Sequence, residues 1–490
     1  MKRLFRLFLV LFLLILVLVI GMVSINFISF SSKQIPVDAI EPFELPDTIV
    51  QTFQKAIQIP TISSILNRED SLQFNALHEL IKKDFPLVDS MLNREVIADL
   101  SAVYHWQGRR PDLAPILLMA HTDVVPVEEA SLSKWTQDPF SGVLADEYIW
   151  GRGTLDDKAC VLGILSAIEV LLQENYLPER TIYLAFGHDE EVGGTGAVAI
   201  ADYFKKRKIE FEYILDEGLI IVEDALDGLN QPLAMIGIAE KGYATLTLTA
   251  SLKEGGHSMM PPKETAVGVL SKAITRLQEN PFPAKISGGL AGLLRYAGPE
   301  MDLFNKIVLS NLWLTESLVL NSLSQTPSSN AMTRTTIAPT MVRGGVQDNV
   351  LPTRASAKIN FRILPGETIE SVIAYVKKVV NDDRVIVSLA NPDHTKNPSP
   401  VSSTSSFGFQ VIQKTTKQVF PEVAVSPGLV IGFTDSRHFV DLSEHIYRFA
   451  PIQLEKADLN AFHGIDEKIK AENYKDMIRF YRQLILNSCR

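Results

Sequence analysis

Between residues 116 and 215, short apolar runs alternate with longer stretches that repeat with helical periodicity. The runs predict strands at Ile116–Ala120, Thr181–Gly187 and Tyr213–Leu215, and the longer stretches predict helices at Ala159–Asn175 and Glu191–Lys206. Alternation of strand and helix is typical of an α/β layer, because each parallel pair of strands needs a crossover helix. The fold class predicted here is therefore α/β with a mostly parallel central sheet.

Residues 240–393 have a different pattern. Strand candidates and helix candidates follow one another in the order Tyr243–Ser251, Lys263–Glu279, Thr335–Val342, Ala355–Leu364, Ile369–Asn381 and Val385–Leu389. This β-α-β-β-α-β order predicts a ferredoxin-like α+β domain. We expect it to be inserted into the first domain, which then consists of residues 47–239 and 394–490.

Residues 282–330 do not fit the small-domain pattern and look like an insertion with helical stretches. The segment is rich in large apolar residues: Leu290, Leu293, Leu294, Leu303, Phe304, Leu312, Trp313, Leu314 and Leu318. These side chains could line a fatty-acyl groove, form a dimer surface or belong to the core.

An uncharged apolar run of 24 residues, Leu7–Phe30, follows three basic residues, Lys2, Arg3 and Arg6. About 20 apolar residues suffice to cross a bilayer as a helix, and the preceding bases predict a cytoplasmic N-terminus. We therefore predict that residues 1–30 form a single-pass membrane anchor, with an extracytoplasmic or lumenal body behind a linker at 31–46. The alternative is a cleaved signal peptide and a secreted body, but the run is long for a signal core and no A-x-A-like site ends it.

Composition excludes several classes of protein. The 46% hydrophobic and 21% charged residues are typical of a globular chain. The net charge of −10, without a basic patch, predicts no nucleic-acid partner. Two cysteines cannot form a disulfide framework.

Histidines and carboxylates are concentrated directly after the predicted strands. After the three predicted strands come, in order, the pair His121 and Asp123, the pair Glu190 and Glu191, and the single residue Asp216. Two further residues of this kind are Asp156, before a predicted helix, and His463, near the C-terminus. Each group alone is more simply explained as a polar turn or a helix cap. Together they predict one site, because ligands of open α/β sheets bind at the carboxyl ends of the strands. Imidazole and carboxylate ligands suit zinc, with cobalt or manganese possible, and their number exceeds what one ion needs.

The sequence resembles a known family, the di-zinc metallopeptidases that include carboxypeptidase S, aminoacylase, glutamate carboxypeptidase and succinyl-diaminopimelate desuccinylase. The matching segments, in the family's order, are MAHTDVVPV, GRGTLDDK, GHDEEVGG, LDEG, GGHSMMPP, GGVQDNVLP, NFR, TDSRHF and FHGIDEKI. They span residues from about 115 to 470, and the ending is most similar to the branch of carboxypeptidase S and N-fatty-acyl-amino-acid synthase/hydrolases.

The resemblance implies a role for each matching residue. His121 and Asp216 would bind one Zn²⁺, Glu191 and His463 the other, and Asp156 would bridge them. Asp123 would orient His121, and Glu190 would be the general base. His257 matches a histidine that stabilises the oxyanion in the family, often across a dimer interface. The residues that match substrate-binding positions are Asn349, Arg362, Thr434, Asp435 and Arg437.

The resulting prediction is a zinc-dependent hydrolase that cleaves an amide or peptide bond next to a free amino-acid carboxylate. Its substrate would be a dipeptide or an N-acyl amino acid, attacked by a hydroxide held between two Zn²⁺ ions. The inserted domain would act as a lid and could form a homodimer. The alternative is a catalytically inactive extracytoplasmic receptor or scaffold of the same fold. A serine or cysteine hydrolase is disfavoured because no G-x-S-x-G surrounds a serine and Cys160 lies in a predicted helix.

Overall fold

The computed structural model describes residues 2–63 and 71–490. Its strands are β1 Asn93–Ile97, β2 Ser101–Trp106, β3 Ile116–His121, β4 Leu144–Ala145, β5 Tyr148–Trp150, β6 Ile182–Gly187, β7 Tyr213–Glu223, β8 Leu233–Glu240, β9 Gly242–Ser251, β10 Gly256–His257, β11 Thr336–Gly344, β12 Val350–Leu351, β13 Arg354–Ile363, β14 Val385–Leu389, β15 Ala424–Val430, β16 Ile446–Glu455 and β17 Lys468–Lys470. Its helices are α1 Lys2–Ser29, α2 Thr48–Ile57, α3 Ser71–Asp84, α4 Pro86–Met91, α5 Lys158–Gln173, α6 Thr195–Arg207, α7 Ala266–Glu279, α8 Gly288–Ala297, α9 Leu303–Ser310, α10 Leu312–Leu323, α11 Pro327–Thr333, α12 Ile369–Val380, α13 Phe407–Val419 and α14 Ala471–Ser488.

The central sheet has eight strands in the order β1-β2-β6-β3-β7-β16-β8-β15. The prediction of a mostly parallel sheet is wrong in detail, because the sheet is mixed. Strands β6, β3, β7 and β16 are mutually parallel, but β1 and β2 join antiparallel at one edge and β8 runs antiparallel to β7 and β16. The reason is a hairpin at each side, since the chain turns back directly between β1 and β2 and again between β7 and β8.

The two faces of this sheet are buried by different helices. Along β3, Ile116, Leu118 and Ala120 pack into the core formed with α5, α13 and α14. The alternate residues Leu117 and Met119 pack into the core formed with α6. This period of two along one strand explains the uninterrupted apolar run in the sequence, because both faces of the strand are covered.

A second sheet has four antiparallel strands in the order β11-β13-β9-β14. Helices α7 and α12 cover one face, onto which β9 directs Ala244, Leu246, Leu248 and Ala250. The strand and helix order is the β-α-β-β-α-β order expected from the sequence, and each predicted element lies within three residues of its observed bounds. The boundaries of a separate domain at 240 and 393 stay a prediction.

The insertion forms helices α8 to α11. Leu290, Leu293 and Leu294 of α8 are buried against Leu233 and Ala424, at the starts of β8 and β15. Helix α8 lies directly on β15, since a Cβ atom on Gly289 would come within 2.6 Å of the Gly428 carbonyl oxygen. These leucines belong to a core, whereas the large apolar side chains on the outer side of α9 and α10, among them Phe304 and Trp313, are exposed.

Helix α1 has no buried residue. By length and composition it could cross a membrane, and it is the one such helix among residues 2–63 and 71–490. Its C-terminal end contacts the insertion, where the Asn26 side-chain amide donates to Asn311 Oδ1 at 3.1 Å.

Candidate metal centre

The carboxyl ends of β3 and β6 bring the first polar groups together. His121 is the last residue of β3 and pairs with Gly187 at the end of β6. Glu190 and Glu191 lie three and four residues after β6, in a single 3-10 turn, Glu190–Val192, that is followed by Gly193. The predicted helix over 191–206 therefore begins later, at Thr195, because Gly193 and Gly194 adopt positive φ angles of 132° and 70°.

The centre of the cluster is the Asp156 carboxylate, which lies between two imidazoles. Its Oδ1 is 2.9 Å from His121 Nε2, and its Oδ2 is 3.0 Å from His463 Nε2. His463 Nε2 also lies 3.1 Å from Glu191 Oε1. Ligand atoms of His121, Asp156 and Glu191 all lie within 4.8 Å of one another. One carboxylate with a separate partner on each oxygen is an arrangement that suits two adjacent ions.

The pKa values of the two histidines are raised and that of Asp156 is lowered. Burial alone would lower the pKa of His121, but its contacts with Asp123 and Asp156 raise that pKa well above the usual value. Contacts with Asp156 and Glu191 raise the pKa of His463 to about 10. Burial opposes ionisation of Asp156, yet the two imidazoles hold its pKa below the usual range. These pKa shifts follow from the carboxylates packed around the two imidazoles, and a set of imidazole and carboxylate donors this close together fits divalent cations.

Asp123 ties the two strand ends together. Its Oδ1 lies 3.2 Å from His121 Nδ1, and its two oxygens accept the backbone N–H groups of Glu190 and Glu191 at 3.1 and 3.2 Å. A carboxylate on the far nitrogen of a metal-binding imidazole fixes the tautomer and the ring orientation. Asp123 thus orients His121 and positions Glu190 through the same side chain.

Glu190 is buried next to this cluster and makes no hydrogen bond to its histidines among the described residues. Its Oε1 lies 3.5 Å from Arg437 Nη1. Burial and the nearby Asp435 raise the pKa of Glu190 well above its usual value. A carboxylate with a raised pKa at such a position is suited to accept and release a proton.

Asp435 is buried, and neither of its oxygens has a hydrogen-bond partner in the described part of the chain. Burial raises its pKa to about 8, against the opposing charge of Arg437. Gly187 and Gly194 make room for it, since a Cβ atom on either residue would collide with its oxygens. The side chain is therefore held with unsatisfied acceptors beside the cluster.

Asp216 follows the buried first half of β7. Its Oδ2 accepts the backbone N–H of Ser436 at 2.8 Å, and its charge contributes to raising the pKa values of Asp435 and Glu217. It is close to the cluster but is not part of the group of His121, Asp156 and Glu191. Its role as a metal ligand stays a prediction.

Two guanidinium groups and two aromatic rings form a wall next to Glu190. Arg362, from β13 of the second sheet, lies 5.0 Å from the ring of Tyr243 and 4.9 Å from the ring of Phe433. Arg437 lies 4.2 Å from the same Phe433 ring. Arg362 Nη1 has no partner among the described residues although it is buried. An unpaired donor of a fixed cation is suited to bind a carboxylate.

The structure does not bring His257 and Asn349 to the cluster. His257 pairs with Val350 in the short ribbon of β10 and β12, and the Ser258 N–H donates to the Asn349 carbonyl oxygen at 3.0 Å. Both residues are exposed. Within the described ranges neither contacts His121, Asp156 or Glu191.

Sequence reasoning missed the residues that support the site from behind. Glu467 is fully buried and accepts the backbone N–H groups of Gly153 and Leu155 at 2.9 and 2.8 Å while it pairs with Arg152. It therefore holds the loop that carries Asp156. The available signal was its place in the FHGIDEKI segment, four residues after His463.

A second buried pair supports the segment from Thr434 to Arg437. Glu240 at the end of β8 lies 3.3 Å from Arg448, and it accepts the Thr434 N–H at 3.0 Å. The Thr434 hydroxyl lies 2.7 Å from the Ser436 hydroxyl. Thr434 is thus a buried structural link in this structure, and its predicted contact with substrate stays a prediction.

A histidine and carboxylate cluster at the strand ends of an α/β sheet is typical of metal-dependent hydrolases. A family model described as Peptidase family M20/M25/M40 matches residues 117–487. The chain therefore belongs to this peptidase family, and it is an enzyme that uses metal ions to hydrolyse amide bonds.

The relatives agree with this assignment. The chain is 42% identical over 482 residues to a protein of Dictyostelium discoideum named probable carboxypeptidase S-like 2, covering 95% of this chain and 91% of the relative. It is 39% identical to the N-fatty-acyl-amino acid synthase/hydrolase PM20D1 of Xenopus tropicalis, covering 90% and 86% of the two chains. It is 31% identical to carboxypeptidase S of Saccharomyces cerevisiae, covering 89% and 84%.

Among solved structures, the M20 family metallo-carboxypeptidase Sso-CP2 from Sulfolobus solfataricus superposes with a TM-score of 0.64 at 20% identity. It covers 90% of this chain and 99% of that one. This similarity supports the fold alone. The prediction of a metallopeptidase of this family is confirmed by the sequence relatives, and none of them favours the inactive scaffold.

Proposed function

We propose that the enzyme is a two-zinc hydrolase that cleaves the amide bond next to a free amino-acid carboxylate, in dipeptides or N-acyl amino acids. The observation that carries this proposal is the Asp156 carboxylate, with one oxygen on His121 and the other on His463. Relatives named carboxypeptidase S-like and N-fatty-acyl-amino acid synthase/hydrolase support both substrate classes.

The proposed ligands of the first Zn²⁺ are His121 and Asp216, and those of the second are Glu191 and His463, with Asp156 shared. When bound, these ions would supply Lewis acidity that makes water acidic near neutral pH and polarises a carbonyl group. Co²⁺ or Mn²⁺ would suit the same nitrogen and oxygen donors.

The chain's own residues handle protons and orientation. Glu190 accepts a proton from the attacking water and delivers it to the leaving amine nitrogen, a role supported by its burial beside the cluster and its raised pKa. Arg362, with its unpaired Nη1, binds the free carboxylate of the substrate. Asp123 holds the His121 ring and the backbone of Glu190 in a fixed position relative to each other.

We propose that His257 and Asn349 contact a bound substrate in one of two ways. They reach either the cluster of a neighbouring copy or, after the second sheet closes over the site, the cluster of their own chain. Their exposed position on the ribbon of β10 and β12 supports this, because nothing within the described ranges places them at the cluster of their own chain. A homodimer that uses the second sheet as a lid would supply the donor that stabilises the oxyanion.

Helix α1 is proposed to be a signal anchor that keeps the catalytic body outside the cytoplasm. Its length of 28 residues, an 18-residue stretch within it of mean hydropathy 3.3, and the absence of buried residues along it support this role. Release of the body after cleavage is the competing outcome.

The substrate test compares matched compounds. The detergent-purified full chain is assayed with a dipeptide and an N-acyl amino acid, each with a free carboxylate and each as its C-terminal amide. We expect hydrolysis of the free acids and a loss of about 100-fold for the amides, because Arg362 loses its charged partner. Equal rates on acid and amide would overturn recognition of the carboxylate, and no hydrolysis of either compound with metal bound would overturn the proposed function.

A further inference from the structure

We propose that the exposed face of helices α9 and α10 docks onto the phospholipid bilayer that α1 spans, so that the catalytic body lies against the membrane surface. We call this the α9–α10 face and define it by Leu303, Phe304, Ile307, Trp313, Leu314 and Leu318. The proposal rests on the proposed anchor and adds a second, peripheral contact with the same membrane.

The α9–α10 face is an apolar surface without a partner in the described structure. Phe304 is 71% exposed, Leu303 66%, Leu314 58% and Trp313 51%. Their neighbours on the other side of the same helices, Leu309 and Val319, are buried in the core with α8. The two helices thus pack one apolar side on the protein and present a second apolar side to the surroundings, which is unusual for a soluble surface.

The connection to α1 places this face at a defined depth. Asn311, at the corner between α9 and α10, is buried and accepts a hydrogen bond from Asn26 at 3.1 Å. Its own amide reaches the carbonyl oxygen of Val23 at 3.4 Å. At a rise of about 1.5 Å per residue, Asn26 lies about 29 Å beyond Leu7, and the hydrocarbon core is about 30 Å thick. If the apolar run enters at Leu7, the corner of α9 and α10 lies at the opposite boundary.

The chain after α1 keeps the body at that boundary. The Phe30 ring lies over Gly298 at the end of α8. The Gln34 side chain then brackets Val425 of β15, since its amide donates to the Val425 carbonyl at 3.0 Å and its oxygen accepts the Val425 N–H at 2.8 Å. The predicted linker is therefore attached to the body within five residues of α1, and the body cannot move far from the bilayer.

The chemistry of the α9–α10 face fits lipid. Trp313 has its indole N–H satisfied by Asn311 Oδ1 at 3.1 Å, so the exposed part of the ring carries no unpaired donor. Between Leu303 and Leu323 the charged residues are Lys306 and Glu316 alone. Tryptophan, phenylalanine and leucine at this depth are typical of interfacial contacts, and the balanced charge indicates apolar insertion rather than attraction to anionic lipid.

The test uses the full chain in nanodiscs of phosphatidylcholine, either plain or brominated on the acyl chains near the headgroup. Trp313 is one of four tryptophans, and Trp106 and Trp150 are buried in the body. We expect brominated lipid to quench part of the emission of the wild-type chain, and we expect the Trp313→Phe variant to lose this quenching. The quenching should persist at high salt.

A variant that disrupts the contact gives the second measurement. Phe304→Ser combined with Leu314→Ser and Leu318→Ser should reduce the quenching of Trp313 and leave the protein in the disc. The matched control is Leu72→Ser with Leu177→Ser, which changes exposed leucines away from α1 and should leave the quenching as in wild type.

The outcomes separate docking from anchoring. A chain that resists carbonate extraction but shows the same emission in plain and brominated discs would overturn docking and leave the anchor intact. A chain released by carbonate would overturn both. Trp313 shielded from bromine only in discs that hold two copies would assign the α9–α10 face to a dimer instead.

Discussion

At the scale of single residues, Glu190 and its neighbour Glu191 differ in the side chains that they contact. Glu191 contacts His463 at 3.1 Å, whereas Glu190 contacts Arg437 at 3.5 Å and stays off the histidines. Adjacent residues in one turn thus contact different groups, Glu191 the histidine and carboxylate cluster and Glu190 the guanidinium of Arg437.

We expect Glu190→Gln to keep its metal and lose turnover by about a thousand-fold, because the amide preserves volume but cannot accept the proton. The measurement is kcat on an N-acyl amino acid together with metal content of the same sample. Glu210→Gln, at an exposed position, is the matched control. Turnover close to wild type in Glu190→Gln, with metal bound, would show that another group is the base.

Asp123→Asn should weaken metal binding roughly 10- to 100-fold, because His121 loses the carboxylate that fixes its tautomer. Competition with a chelator of known affinity measures the change, and Asp112→Asn on the exposed ion pair with Arg110 serves as control. An unchanged affinity in Asp123→Asn would mean that Asp123 orients only the backbone of Glu190 and Glu191.

Residues that follow strands could be placed from the sequence, and those that act through tertiary contact could not. His121 and Glu191 were located by the end of an apolar run, which the chain itself displays. Glu467 supports a loop more than 300 residues earlier in the chain, and its place in the FHGIDEKI segment does not indicate that it is buried against a distant arginine. His257 was assigned by its motif alone, and its place on an exposed ribbon could not be foreseen.

At the scale of elements, the insertion is attached to the central sheet by a close contact between α8 and β15. We expect Gly289→Ala to destabilise the protein by about 1–3 kcal/mol, because the new Cβ would press on the Gly428 carbonyl. Gly268→Ala on α7 is the control, since its Cβ would meet only Thr265 Oγ1 at 3.4 Å. The measurement is the thermal unfolding midpoint of each variant. Equal midpoints for Gly289→Ala and Gly268→Ala would contradict a close contact between α8 and β15.

Helix α3 carries a histidine that makes stability depend on pH. Burial, with the charge of Arg94, lowers the pKa of His78 from 6.5 to about 4. The unfolded chain therefore takes up this proton first as the pH falls, so the contribution is complete above pH 6.5 and is lost towards pH 4. The unfolding midpoint should fall less between pH 7.5 and pH 5 in His78→Gln than in wild type, and equal falls would contradict the assignment.

Elements with one clear period could be predicted closely, and elements with mixed signals could not. Strand β14 matches its predicted bounds because alternation and turn residues agree. Strand β7 continues to Glu223, although Asp216, Glu217 and Gly218 interrupt the apolar pattern, because its second half pairs with β16 and β8. The antiparallel hairpins that make the sheet mixed depend on pairing partners, which periodicity does not contain.

At the scale of the whole molecule, an acidic catalytic body is joined to an apolar helix through a fixed contact. The N-terminal asymmetry of charge and hydropathy is visible in the sequence, but the hydrogen bonds of Asn26 and Gln34 to the body are not. These contacts fix α1 relative to the catalytic body, so the proposed anchor would hold the body rigidly rather than as a flexible tether.

The cluster around Asp156 is proposed to hold the two divalent ions that amide hydrolysis needs. The most direct measurement titrates Zn²⁺ into the metal-free full chain and follows bound metal and hydrolysis of an N-acyl amino acid together. We predict that activity appears only with metal and reaches its plateau at two equivalents, and that His463→Ala lowers this stoichiometry. Full activity in the metal-free chain, or a chain that binds no zinc, would contradict a catalytic two-metal site.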